Sequence, residues 1–145
     1  NYEKSKYFFT KLSTSLSVKF KTKCRVMRLF NVYGEGEDQK RLWPSIVRAI
    51  KSKNNLDMTD GKQIRDFISV DVVAKILLNA ANFELKKKNF PQIWHVASGK
   101  PTSVKSFALK NWKKLGGRKK ILFNKIKSSL SRNYISEKGS IWSIK

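Results

Sequence analysis

Residues 25–36 read Arg-Val-Met-Arg-Leu-Phe-Asn-Val-Tyr-Gly-Glu-Gly, and this stretch decides the fold. Its first half is a short apolar run containing Val26, Met27 and Leu29. The run is closed by a turn-prone segment with glycines at positions 34 and 36. Such a pattern is typical of a strand buried in a parallel sheet. We therefore predict a buried strand over residues 25–30.

Helical and strand patterns alternate on both sides of this strand. Apolar residues at helical spacing predict helices over 2–16 and 43–50, the second entered through Pro44. A third helix is predicted after Asp71 as its cap, and a fourth after Thr102 or Ser103, ending at Gly116 and Gly117. Short apolar runs at 67–70, 93–97 and 121–123 predict further strands, and 86–91 is a charged connector. The alternation indicates an α/β fold.

The face predicted to be buried on the third helix consists of Val73, Ile76, Leu77, Ala80 and Ala81. The face predicted to be buried on the fourth helix consists of Val104, Phe107, Ala108, Trp112 and Leu115.

Charge is the dominant feature of the composition. The 145 residues carry 32 Lys and Arg against 10 Asp and Glu, a net charge of +22, which suggests a polyanionic partner. The lysines, however, are spread over helix faces and loops. Only residues 86–88 and 118–120 form groups, and no aromatic residues interleave them as in a base-stacking surface. We therefore favour a solvated charged surface, with a basic nucleic-acid-binding module as the alternative.

Several classes of protein are disfavoured. No apolar stretch approaches the roughly 18–20 residues that span a bilayer, and the first residues lack the pattern of a secretory signal. A single cysteine, Cys24, has no partner for a disulfide or a metal site. His95 lies in a strand pattern without acidic or cysteine neighbours, as a packed or surface histidine would. We expect a cytoplasmic protein with no membrane partner and no metal.

Candidate chemistry begins at the second residue. Tyr2 and Lys6 are four residues apart, so on a helix they share one face. A neighbouring ammonium favours the phenolate and makes the phenol a better acid–base group. Tyr7 and Lys11 have the same spacing. Taken alone, either pair is more often a helix pair without any role.

Three segments together change that interpretation. Residues 2–6, Tyr-Glu-Lys-Ser-Lys, resemble the Tyr-x-x-Ser-Lys active-site motif of short-chain dehydrogenases. Residues 28–34, Arg-Leu-Phe-Asn-Val-Tyr-Gly, resemble a strand-end motif of the extended branch that modifies nucleotide sugars. Residues 61–71 look like its Gly-x-Gln-x-Arg-Asp-Phe-Ile-x-Val-Asp segment. In this order and spacing, the chain resembles the NAD-dependent epimerase/dehydratase family.

The resemblance implies roles for five residues. Tyr2 would be the catalytic acid/base, and Lys6 would hold the nicotinamide ribose of NAD or NADP while tuning Tyr2. Phe30 would lie beside the cofactor. Asn31 and Arg65 would contact the diphosphate of a nucleotide-sugar substrate, a role that suits a guanidinium. The alternatives are a turn residue for Asn31, and for Arg65 a surface ion pair with Asp66, which we otherwise expect to order the loop.

The same resemblance distinguishes the two tyrosines. Arg28 follows Tyr2 by 26 positions and Tyr7 by 21, and the longer distance fits the family. Five residues correspond to a rotation of about 140° around a helix of 3.6 residues per turn. We therefore expect Tyr2, not Tyr7, to face the substrate.

The resemblance covers about residues 1–115 and implies the C-terminal part of a Rossmann-like doubly wound sheet with the small substrate-binding domain. We assign this portion to residues 1–124 and a weakly patterned basic tail to 125–145. The glycine-rich dinucleotide fingerprint does not occur in the sequence, since no helix pattern directly follows Gly34-Glu35-Gly36. The expected parent is a nucleotide-sugar epimerase, dehydratase or reductase, for which a homodimer stays open. Without the N-terminal half, the isolated chain is expected to be inactive. An inactive fragment of a split gene is a further alternative.

Overall fold

The computed structural model describes residues 2–82 and 91–127 of the chain. Helices and strands alternate along these two ranges, as the sequence predicts. In chain order the elements are α1 (Tyr2–Lys19), β1 (Arg25–Leu29), β2 (Asn31–Tyr33), α2 (Leu42–Lys51), β3 (Leu56–Asp57), β4 (Ile64–Arg65), β5 (Phe67–Ser69), α3 (Val70–Asn82), β6 (Gln92–Val96), β7 (Thr102–Ser103), α4 (Val104–Lys114) and β8 (Ile121–Leu122).

The strands pair mostly in parallel, which confirms the α/β class. β1 runs parallel to β6, with Arg25 opposite Gln92 and Leu29 opposite Val96. The pairs β2–β5 and β3–β8 are parallel as well, whereas β4 and β7 are antiparallel. Parallel neighbours need long crossovers between them, and here these crossovers contain the helices.

The strand predicted over 25–30 divides in two at Phe30. The N–H of Phe30 still donates to Val96 of β6, at 3.1 Å, but the N–H of Asn31 donates to the carbonyl of Asp66, also at 3.1 Å. The chain therefore changes its hydrogen-bonding partner within one residue. That change places Phe30 and Asn31 at the junction of two strand pairs.

Two apolar clusters hold the fold together. The larger one joins α2 and α4 to β3 through Ile46, Leu56, Phe107 and other buried residues, and Trp112 belongs to it. The smaller one packs α3 against β5 and β6, with Ile76 and Val96 both at or below 1% exposure. The predicted buried face of α3 is right for Val73, Ile76 and Ala80 but wrong for Leu77 and Ala81, which are exposed.

Side-chain hydroxyls cap the starts of α3 and α4, whereas α2 starts after Arg41 without a side-chain cap. Ser103 caps α4, as one of the two predicted alternatives, by accepting from the N–H of Ser106. At α3 the predicted cap was wrong: Asp71 lies inside the first turn, and the Ser69 hydroxyl accepts from the N–H of Val72 instead. The predicted contact of Leu115 with the core was also wrong, because this residue is exposed just after α4.

α1 exposes its apolar side and buries polar residues, which is the reverse of a usual amphipathic helix. Its aromatic and aliphatic side chains are exposed, including Phe8 and Leu12, whereas Thr10 and Ser17 are buried. The described residues pack β1 against the polar side of α1 and leave the apolar side open. Most of the predicted connector 86–91 and of the tail 125–145 lies outside the described residues. Within the described ranges, no helix is long and apolar enough to cross a membrane.

Candidate functional site

A cavity of about 610 Å³ lies where β1 passes into β2. Phe30 and Asn31 line it from that junction, Tyr2 lines it from the start of α1, and Arg65 lines it from β4. Four of the five residues singled out from the sequence are therefore brought together by the fold. Lys6, the fifth, lies one helical turn along α1 outside the lining.

The beginning of α1 places a phenol and an ammonium side by side. The Lys6 Nζ atom is 5.3 Å from the centre of the Tyr2 ring, and Tyr2 is 74% exposed. Lys11 and Tyr7 show the same distance, 5.3 Å, so the pair geometry alone does not distinguish them. The cavity does, because Tyr2 lines it and Tyr7 does not.

Asp66 ties the site to the neighbouring strand end. Its side chain is completely buried, and its two carboxylate oxygens accept hydrogen bonds from the N–H groups of Ser98, at 2.7 Å, and Gly99, at 2.8 Å. Hydrogen bonds to an ionised acceptor are roughly twice as strong as neutral ones. The carboxylate thus joins the β4–β5 connection to the turn after β6. Because Asp66 is fully buried, it is not a surface partner for Arg65.

The Arg65 guanidinium is oriented by a local hydrogen bond. Its Nη2 atom donates to Oε1 of Gln63 at 2.9 Å, and β4 holds the backbone opposite Thr102 of β7. Gln63 is itself fixed, since its carbonyl accepts from the N–H of Val104 at the start of α4. These contacts position a cation at the cavity wall before any ligand is bound.

Gly61 permits the close approach of α4 to this segment. Its φ is +66°, and a Cβ there would lie 2.9 Å from the backbone nitrogen of Lys105. The carbonyl of Gly61 accepts from that same N–H. A side chain at this position would separate α4 from the strand that carries Arg65.

Three charged residues of the site were missed by the sequence analysis. Glu37, Lys40 and Arg41 line the cavity from the connection between β2 and α2, which was interpreted only as a polar loop. The signal that could have found them is a charged cluster between the glycine turn at 34–36 and Pro44. With Arg65, the cavity has three cationic residues against one carboxylate, an arrangement suited to an anionic ligand.

Glu37 has the least favourable environment of this group. Its Oε1 atom lies 3.5 Å from Nε of Arg41, while its Oε2 atom is buried without a hydrogen-bond partner in the described part of the chain. Burial raises the pKa of the Glu37 carboxyl, and the positive charge of Arg41 and the Gly34 N–H oppose that effect.

An aromatic wall closes the cavity on its inner side. Phe67 stacks on Phe107 with ring centres 3.8 Å apart, and Tyr33 meets Phe107 edge-on at 4.9 Å. Trp43 packs against Tyr33, with ring centres 5.1 Å apart. Such pairs add stability beyond the area they bury and keep the wall rigid.

No metal centre is formed by the residues that the structure describes, where no group of three or more His, Cys, Asp and Glu side chains could hold an ion. His95 packs edge-on against Phe30, with ring centres 5.9 Å apart. This contact agrees with its interpretation as a packed histidine.

Comparison with known proteins identifies the family. The sequence profile of the NAD dependent epimerase/dehydratase family matches residues 1–97, two thirds of the chain. The chain belongs to the NAD-dependent epimerase/dehydratase family. Members similar in sequence include the CDP-abequose synthase of Salmonella typhimurium, 33% identical over 82 residues, and a putative UDP-glucose 4-epimerase of Methanocaldococcus jannaschii, 37% identical over 83 residues. These matches cover 56% and 54% of the chain, and 27% and 25% of the relatives.

Solved structures of Rossmann-fold members show the same fold. The dTDP-glucose 4,6-dehydratase of Bacillus anthracis, in complex with NAD, superposes with a TM-score of 0.72 at 15% identity, covering 88% of this chain and 40% of that one. The UDP-glucose 4-epimerase of Thermus thermophilus, also with NAD, gives 0.70 at 18% identity, covering 93% and 45%. The chain therefore spans about a quarter of the curated relatives and two fifths of these structures.

Proposed function

We propose that this chain supplies the acid–base and substrate-binding residues of an NAD(P)-dependent nucleotide-sugar epimerase, dehydratase or reductase. The observation that carries the proposal is the single cavity lined by Tyr2, Phe30, Asn31 and Arg65. These residues come from three separate segments of the sequence, and the family motifs assign a role to each of them.

Tyr2 and Lys6 perform the proton chemistry. The Tyr2 phenolate, which the adjacent Lys6 ammonium stabilises, accepts a proton from a sugar hydroxyl, and the resulting phenol returns that proton later. Both side chains are exposed, Tyr2 at the cavity and Lys6 one helical turn along α1, and their donors fit a nicotinamide ribose. NAD or NADP, when bound, supplies hydride transfer at a sugar carbon. Phe30, which lines the cavity, would contact the nicotinamide.

Arg65 and Asn31 bind the diphosphate of the nucleotide sugar. A planar guanidinium can donate two parallel hydrogen bonds to phosphate oxygens, and Gln63 already holds that of Arg65 in one orientation. The nearby Lys40 and Arg41 add to the positive potential at the same cavity. We infer that they share the charge of the diphosphate with Arg65.

The proposed protein is longer than this chain and works in the cytoplasm. Residues 1–124 form the C-terminal portion of its enzymatic domain, and 125–145 are a basic tail. Support comes from the coverage of two fifths of the solved structures and from the open apolar side of α1. A dinucleotide-binding half packed against α1 would remove residues such as Phe8 and Phe9 from water.

The experiment compares two tyrosines in a chimaera that supplies a glycine-rich dinucleotide-binding half upstream of this chain. Tyr2→Phe should lower kcat by roughly 10²- to 10⁴-fold with substrate binding largely kept, because a positioned acid–base group is lost. Tyr7→Phe is the matched control, since both rings are exposed and each lies beside a lysine. Its effect on kcat should be mild because Tyr7 does not line the cavity. Turnover would be measured with several nucleotide sugars. The reverse ranking would reject Tyr2, and a folded chimaera that turns over none of them would favour an inactive fragment.

A further inference from the structure

The ends of α2 and α4 lie side by side, together with the turns that follow them. The N–H of Leu56 donates to the carbonyl of Lys120 at 3.0 Å, and the N–H of Lys120 donates to Oδ1 of Asn55 at 3.1 Å. The indole N–H of Trp112 donates to the carbonyl of Lys119 at 3.1 Å. These bonds bring into one region the exposed cations that we call the basic end: Lys51, Lys53, Lys113, Lys114, Arg118, Lys119 and Lys120.

The charge of the basic end exceeds what the fold itself needs. Lysines near a helix C-terminus offset the helix dipole, but each terminus carries only about half a negative charge. Two termini therefore balance about one of the seven cations. Residues 42–56 and 104–127, which contain the whole basic end, include no Asp or Glu, and one exposed carboxylate borders them, that of Asp57 in β3 opposite Leu122. Along the sequence only Arg118–Lys120 form a group, and the other four cations come from segments that are separate along the chain.

The side chains of this region fit a lipid surface better than a nucleic acid. Six of the seven cations are lysines, whereas recognition of base edges favours the arginine fork. The aromatic ring closest in sequence, Trp112, is only 7% exposed and cannot offer a stacking face. Two aliphatic side chains accompany the lysines instead, with Leu109 45% and Leu115 39% exposed. Cations mixed with exposed aliphatic groups are typical of surfaces that adsorb to anionic membranes.

Against the expectation from sequence of no membrane partner, we propose that the basic end docks this protein on a membrane surface rich in anionic phospholipids. The attraction is electrostatic and acts between the seven cations and lipid headgroups of net negative charge, and Leu109 and Leu115 reach the headgroup region. None of the seven cations lines the candidate site, so docking leaves that cavity accessible. Each lysine near such a surface contributes about fivefold to the affinity.

The experiment is co-sedimentation of the whole chain with phosphatidylcholine vesicles that contain or lack phosphatidylserine. We expect binding only with phosphatidylserine, and its loss at high salt because exposed charges are screened. The triple variant Lys114→Gln, Lys119→Gln, Lys120→Gln should lower the partition coefficient about 100-fold, from three factors of about five. The corresponding Lys→Arg triple variant keeps the charge and should keep the binding. Circular dichroism would verify that each variant is folded.

A matched control separates a docking surface from net charge. Lys4→Gln, Lys19→Gln, Lys75→Gln removes the same charge from exposed positions on α1 and α3 and should leave the partition coefficient within a few fold. Equal losses in the two glutamine variants would overturn the proposal in favour of a generally solvated basic surface. So would absence of vesicle binding by the unmodified chain. Tighter binding to duplex DNA or RNA than to the vesicles, lost in the basic-end variant, would identify a nucleic acid as the partner instead.

Discussion

At the scale of single residues, Glu37 shows how a binding site stores unfavourable energy. A carboxylate prefers several hydrogen bonds, but burial removes water from Glu37 and leaves one oxygen without a partner among the described residues. The ion pair with Arg41 compensates only weakly, because Arg41 is 64% exposed and the separation is 3.5 Å. The cationic cavity therefore contains a carboxyl group that is more easily protonated than usual.

Glu37→Gln should stabilise the chain at neutral pH. Because burial raises the pKa of Glu37, the folded chain binds this proton more tightly than the unfolded chain does. The stability of the wild type therefore falls as the pH rises from the ordinary carboxyl range, about 4.3, through the raised value. Thermal melts should show the variant higher by roughly 1–3 °C at pH 7, with the difference shrinking near pH 4.

Glu35→Gln is the control for this measurement, because Glu35 is exposed two residues earlier and its removal should change little at either pH. A variant at position 37 that melts below the wild type at pH 7 would contradict the expectation. The ion pair with Arg41 would then outweigh the cost of burial.

The residues of the site could be predicted only where a motif marks them. Tyr2, Phe30, Asn31 and Arg65 belong to recognisable segments, and the fold gathers them at one cavity. Lys40 and Arg41 carry no motif, and only the packing of their loop against the strand junction reveals them. The charge of a loop residue does not indicate where its side chain lies until the element that the loop packs against is known.

At the scale of elements, the aromatic wall joins two strand pairs to α4. Phe107 is 6% exposed and touches rings from both β2 and β5, through Tyr33 and Phe67. These ring contacts hold α4 against both strands, and the hydrogen bond from the Lys105 N–H to the Gly61 carbonyl holds its N-terminus. The wall thus determines the shape of the cavity.

Phe107→Ala should lower the free energy of unfolding by about 3–5 kcal/mol, because a large buried ring is lost and leaves a cavity. Phe8→Ala removes the same group from a side chain that is 67% exposed and should cost less than about 0.5 kcal/mol. Urea titrations of both variants would measure the difference. Similar midpoints for the two variants would mean that the wall can collapse around the missing ring.

Elements with a clear apolar pattern were predictable, including the short strands β5 and β8, whereas strands without such a pattern were not. The four helices and β1 have enough residues for an apolar period to emerge, and each lies close to its predicted position. β3, β4 and β7 have two residues apiece and exist only because a distant strand pairs with them. No local pattern encodes such a partner. The sequence left the cap of α4 open between Thr102 and Ser103, and at α3 it indicated Asp71, whereas the Ser69 hydroxyl accepts the hydrogen bond there.

At the scale of the whole molecule, the orientation of α1 is where the sequence misleads. A helical apolar pattern predicts a buried face, yet in the described residues that face of α1 is exposed and its polar side meets β1. The periodicity indicates a face to be buried, but it does not identify the surface that buries it. The clustering of the basic end is the opposite case, because it appears only once the segments are folded together.

The hydrogen bonds to the Asp66 carboxylate affect how fast the amide protons of the turn after β6 exchange with water. Ser98 and Gly99 are exposed, and amide protons in exposed turns ordinarily exchange with water quickly. Here both N–H groups are held by a completely buried anion that connects two strand pairs. Their deuterium uptake should therefore be as slow as that of the core. The Lys100 N–H, held only by an exposed serine hydroxyl, should exchange fast. In the Asp66→Asn variant, the slow exchange of the Ser98 and Gly99 amide protons should disappear. Amide-resolved exchange followed by NMR would show whether this surface turn opens only when the two sheets separate.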